Sequence, residues 1–146
     1  MFSPYVQMHR SIIRLEGLLK AVSSFSSPLC SPWSLDTQAD YVKQFFMYGS
    51  FPAPFILGYP EGLSGEVLDG HKRLHAIRNF MDNQVFLMSV PFAPELNCKY
   101  YRDMPEVIQR YFTYALVDVM EVHTTHVDDP TYQQLRESFR DPMLRF

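Results

Sequence analysis

Asp69, Gly70, His71, Lys72 and Arg73 stand together in the stretch "GEVLDGHKRLHAIRNFMDN", and their types suit the binding of a phosphate. The apolar pair Val67 and Leu68 ends at Asp69 and Gly70, after which apolar residues recur at helical spacing. Such a pattern predicts a strand that turns sharply into a helix. The first backbone N–H groups of a helix lack intrahelical partners and carry partial positive charge, so they attract anions. Gly70 would let a ligand approach the backbone closely. His71 would hydrogen-bond a phosphate, Lys72 would add charge, and the planar fork of Arg73 fits two phosphate oxygens. Asp69 would hold Mg²⁺ against the same phosphates, since Mg²⁺ prefers oxygen ligands. A plainer reading of the same residues is an Asp N-cap, a turn glycine and a solvated basic helix face. Spacing alone leaves both open.

The elements that must position this corner are read from periodicity. Val6, Met8, Ile12, Ile13, Leu15, Leu18, Leu19 and Val22 recur mostly at steps of three and four, which predicts a helix over 5–25. "SSFSSPLCSP" (23–32) then reads as a loop. A second helix is expected over 35–49, capped by Ser34 or Asp36 and ended by Gly49. Strands are expected at 54–58 and 66–68 around the turn "YPEGLSG", followed by the corner helix over 71–82 and a strand over 84–91. After an irregular 92–104, Pro105 opens a helix to 115, Val117, Val119 and Val122 suit a strand over 116–123, and Pro130 starts a last helix to 140. The whole predicts an α+β fold with a small mixed sheet flanked by helices.

A chain of 146 residues has the size of one domain, and residues 1–146 are read as one. The formal net charge of -3 argues against a protein that coats DNA through an overall positive field. No apolar run approaches the roughly 20 residues needed to span a bilayer, so a cytoplasmic protein without a membrane partner is expected. Cys30 and Cys98 have no metal-ligand spacing and are read as free thiols.

"EVLDGHKRLHAIRNFMDN" resembles the DGQQR motif region in the N-terminal domain of GmrSD-type, modification-dependent restriction enzymes. More broadly it is similar to the corner of the ParB/sulfiredoxin-like superfamily. "PWSLDTQADYVKQFFMYGSFPAPFIL" and "YYRDMPEVIQRYFTYALVDVMEV" resemble the flanking segments of that family in order and spacing. The resemblance runs from about Trp33 to Val122 and leaves the N-terminal helix and loop, 1–31, outside it. It implies a ParB/sulfiredoxin-like fold that binds, and in the family hydrolyses, a nucleoside triphosphate with Mg²⁺. The implied catalytic residues are Asp69 and Arg73, with Asp69 on the metal and Gly70, His71, Lys72 and Arg73 on the nucleotide. In the family this NTPase is coupled to cutting of modified DNA by a separate nuclease domain, to which no part of this sequence is similar. A stand-alone domain without nuclease activity is therefore expected.

Three departures bear on activity. His71 and Lys72 replace the two glutamines of the motif, the family's arginine before Trp33 is missing, and His71 stands where sulfiredoxin-like members carry their reactive cysteine. They motivate an alternative of a different class: a catalytically silent protein-interaction module, such as a phage-encoded regulator or inhibitor of a host enzyme. A ParB-like DNA-binding adaptor is a third reading, ranked last on charge. The apolar stripe of the N-terminal helix is expected to pack on the domain, the alternative being a surface for a second copy of the chain or another protein partner.

The remaining constellations have ordinary readings. His71 and His75 are spaced as one edge of a metal site but lack a third ligand at a fixed offset. "HTTHVDD" (123–129) is expected to supply turn and cap residues. Phe45, Phe46, Phe51 and Trp33 are read as core, and the methionines as gap fillers.

Overall fold

The computed structural model describes residues 3–25, 32–91 and 93–139. Its elements, in chain order, are β1 (Val6–Arg14), α1 (Leu15–Val22), α2 (Leu35–Tyr48), β2 (Phe55–Pro60), β3 (Glu66–Asp69), α3 (His71–Met81), α4 (Glu106–Thr113), β4 (Leu116–Thr124) and α5 (Pro130–Ser138), with two short 3-10 turns at Pro94–Leu96 and Tyr101–Asp103. The mixed α+β class is as expected. The four strands form one sheet in the order β1-β4-β2-β3. β4 pairs antiparallel with β1 and parallel with β2, and β2 pairs antiparallel with β3. No described helix is long and apolar enough to cross a membrane.

Local chemistry accounts for most boundaries. Ser34 caps α2 by accepting from the Thr37 N–H, and Gly49 ends it in the left-handed conformation at φ 77°. Asp129 caps α5 by accepting from the N–H groups of Thr131 and Tyr132, with Pro130 in the first turn.

Two expectations are corrected. The predicted helix over 5–25 is a nine-residue strand followed by an eight-residue helix. Val6, Ile12 and Ile13 are β-branched, and pairing along the whole of β4 from Val6↔Thr124 to Arg14↔Leu116 outweighs a helical pattern that only α1 satisfies. The predicted strand over 84–91 does not join the sheet. Its burial alternates, with Val85 and Leu87 inside and Phe86 and Met88 outside. Its pairing, however, is limited to a short exchange in which Leu87 N–H donates to the Lys99 carbonyl and accepts at its own carbonyl from Cys98 N–H. Ser89 at φ 52° then breaks the extended run.

The sheet has two unequal faces. One carries Phe55, Leu57, Val67, Val117 and Val119 and packs with Leu15 and Leu18 of α1, Val42 and Phe45 of α2, Ile77 and Phe80 of α3 and Phe112 of α4. Phe112 lies at the centre, with Phe45, Phe46, Phe51, Phe80 and Tyr101 around it at ring-centroid separations of 5.2 to 6.0 Å. The aromatic run of α2 is therefore core, as expected, and Trp33 is half-buried against Tyr41. The methionines divide: Met104 is buried, whereas Met8 and Met88 are exposed. Cys98 is an exposed free thiol. Cys30 and Arg140, at the end of the expected last helix, lie outside the described residues.

Among the described residues, the other face is covered by α5 together with Val127 and Phe139 on either side of it. Tyr132 packs fully buried on Leu68 and Val122, and its hydroxyl donates to Glu66 Oε2 at 2.7 Å. Arg136 Nε pairs with the second oxygen of Glu66 at 3.2 Å. Gly58 of β2 lies directly beneath that hydroxyl, so a Cβ there would collide with it and press on Leu68. Gly58→Ala should therefore lower unfolding stability by about 1–3 kcal/mol. In a Tyr132→Phe background, which itself costs about 1 kcal/mol, the added cost of Gly58→Ala should shrink. Equal costs in both backgrounds on chemical denaturation would show that the hydroxyl is not what fills the space.

Candidate functional site

The strand-to-helix corner is present: β3 ends at Asp69, Gly70 makes the turn and α3 begins at His71. Gly70 has φ +120°, a conformation that L side chains rarely adopt, and a Cβ on it would stand 2.6 Å from Phe55 Cδ1. The glycine is thus required by its own backbone and by the ring packed against it.

Asp69 and Arg73 are the only buried charged residues of the corner, at 6% and 4% exposure. Arg73 Nη2 lies 3.2 Å from Asp69 Oδ2. The same guanidinium donates to the carbonyls of Ala53 at 3.1 Å, Pro54 at 3.2 Å and, more weakly, Pro52 at 3.5 Å. Its carbon sits 4.7 Å above the centre of the Phe55 ring. The fork that suits two phosphate oxygens is turned onto the loop that leads from α2 into β2.

That loop explains the need for a cation. Ala53 lies between two prolines and has φ 65°, a left-handed conformation that costs of order 1–3 kcal/mol for a residue other than glycine. Pro52 and Pro54 have no backbone N–H, so this loop offers its carbonyls with few donors of its own. Arg73 supplies donors, and Asp69 balances the charge that it brings inside.

Tyr41 of α2 faces the same charge. Its hydroxyl is buried and makes no hydrogen bond of acceptable geometry among the described residues. Burial raises its pKa well above the usual phenol range, and the positive charge of Arg73 offsets only part of that rise.

The other corner residues lie nearer the surface. His71 and Lys72 are half-exposed in the first turn of α3. His75 is exposed, and its Nε2 lies 3.2 Å from Asn79 Nδ2. Asn79 also donates to Gln38 Oε1 at 2.8 Å, while buried Gln38 donates to the Trp33 carbonyl at 2.7 Å, which ties α3 to α2. His75 thus belongs to a helix-to-helix contact.

The sequence reading missed a second cluster. His9 of β1 and Glu121 and His123 of β4 bring three ligand atoms within 4.8 Å of one another. Reading 5–25 as a helix hid it, because His9 meets Glu121 only when β1 is a strand in register with β4. The signal was present as the alternation of Glu121 and His123 on a predicted strand. His123 belongs to β4 and not to the turn that follows.

Truncating Arg73 should expose how far the corner is structural. Arg73→Met leaves the Asp69 carboxylate inside without its cation and should cost about 3–5 kcal/mol in chemical denaturation. Adding Asp69→Leu to Arg73→Met should recover part of that loss, whereas two independent roles would make the costs add.

With this geometry in hand, comparisons with known proteins give no further guide: no family model, no curated protein and no solved structure matches the chain.

Proposed function

We propose that this chain is a catalytically silent protein-interaction module that keeps a ParB/sulfiredoxin-like fold of the DGQQR type. The observation that carries this reading is the use of Arg73 by its own fold. A guanidinium paired with buried Asp69 and donating to the 52–54 carbonyls must break those contacts before it can take a phosphate. Asp69 is equally engaged, and Gly70 is required by the packing of Phe55. The residues that the resemblance would assign to catalysis are thus accounted for without a substrate.

A surface for a partner is also present. On the face that α5 leaves partly open, Met8, Ile12 and Leu116 are 52%, 66% and 65% exposed. Met8 and Ile12 belong to β1, an edge strand of the sheet among the described residues, and Leu116 to the neighbouring β4. Exposed Arg10 and Asp118, paired at 3.9 Å, stand among them on the same face, and such a mixed apolar and charged strip next to an open strand edge suits a protein partner.

The second reading, nucleoside triphosphate binding with Mg²⁺, is favoured by the first turn of α3. There the helix start is flanked by half-exposed His71 and Lys72. Thermal unfolding with ATP, GTP, CTP and UTP, each with and without Mg²⁺, separates the two. A ligand at 100 times its Kd stabilises by about 2.7 kcal/mol, a shift of several degrees for a domain of this size. The silent module predicts no shift with any nucleotide. Stabilisation that Lys72→Ala abolishes would overturn it and make the corner a phosphate site.

A further inference from the structure

We propose that His9, Glu121 and His123 form a binding site for a divalent transition-metal ion, best suited to Zn²⁺. His9 Nε2 lies 3.5 Å and His123 Nε2 3.0 Å from the same oxygen, Glu121 Oε1. An ion ~2.1 Å from a nitrogen and an oxygen places those atoms about 3.0 Å apart at a right angle and about 3.4 Å apart at the tetrahedral angle. The two observed separations match this bite. The ligand atoms all lie within 4.8 Å of one another, and binding one ion requires the exposed His9 ring to turn out of its stack on His123 so that the two nitrogens converge.

The backbone fixes the set. His9 and Glu121 are direct partners in the β1–β4 register, while Glu121 and His123 are two apart on β4 and so point to the same face. His123 is stacked on Tyr59 at 4.7 Å with planes 11° from parallel, and His9 lies on its other side at 5.1 Å. Tyr59 is the register partner of His123 on β2 and is itself met edge-on by Phe25. A ring clamped in this way keeps its nitrogen aimed at Glu121, which is the kind of support that orients metal ligands.

The donor set selects the ion. Two imidazoles and one carboxylate suit Zn²⁺ and neighbouring first-row ions, whereas Mg²⁺ and Ca²⁺ require oxygen ligands throughout. Glu121 is 26% and His123 42% exposed at the side chain, so the remaining coordination positions open to solvent. Three protein ligands with an open position describe a site that also takes water or a small anion.

Titration calorimetry of the full chain with ZnCl₂, followed by Co²⁺ absorption spectroscopy, tests the site. One equivalent should bind, Co²⁺ should give ligand-field bands, and His9→Ala, His123→Ala and Glu121→Gln should each weaken binding by more than about tenfold. His75→Ala, on the far helix, should leave binding unchanged. Circular dichroism shows whether each variant is folded, and His9→Gln, at an exposed strand position, keeps the test valid if His123→Ala does not fold. Absence of saturable binding, or one-equivalent binding that survives the loss of His9 and of Glu121, would overturn the proposal and leave a His123–Glu121 hydrogen bond with His9 beside it.

Discussion

The corner at Asp69 depends on a single buried cation. Arg73 must be where it is because the loop between α2 and β2 presents the carbonyls of Pro52, Ala53 and Pro54 beside two residues that cannot donate. Once the guanidinium is inside, a carboxylate has to accompany it, since an unpaired charge in the interior costs several kcal/mol. Asp69, at the last position of β3 and one helical turn before Arg73, meets that requirement. Phe55 then covers the pair, and Phe55 leaves no room for a Cβ at position 70. Loop, strand end, glycine and helix start are consequences of one charge and its satisfaction.

This dependence changes what the motif means. Asp, Gly and Arg at this spacing serve equally well to bind phosphate or to staple a carbonyl-rich loop, because a phosphate and a cluster of carbonyls ask the same thing of an arginine. The difference lies in what stands opposite the fork. Here it is the chain itself, through the carbonyls of Pro52, Ala53 and Pro54.

Much of the fold was legible because several elements announce their own ends. Ser34 and Gly49 bound α2, the Gly-rich turn joins β2 to β3, and the β-branched alternation of Val117, Val119 and Val122 marks β4. The misreadings have a common cause. The run 6–22 contains apolar residues that satisfy a helical period, yet its first half becomes a strand because β4 offers nine residues of pairing that no local rule reveals. The run 84–91 alternates like a strand but finds no neighbour in the sheet, so it remains an extended segment buried only on the side of Val85, Leu87 and Val90. Partners distant in sequence decide both cases. The buried state of Arg73 was hidden for the same reason, since its acceptors lie some twenty residues upstream.

The switch from strand to helix at Arg14 also determines which chemistry the surface can carry. Leu15 N–H still donates to the Ala115 carbonyl, as a strand residue would, before α1 turns back over the sheet. Had the helix begun at Tyr5, His9 would share a face with Ile12 and Ile13, far from any residue of β4. As a strand, the segment instead sends Ile13 inward to the core and carries His9 past the end of α1 on the same face. The helices cover the Val117 and Val119 end of that face and leave Glu121 and His123 beyond it. An apolar core and a cluster of nitrogen and oxygen donors therefore follow from one alternation along β4. The burial of the first makes the register rigid, and the rigidity of the register holds the second in place.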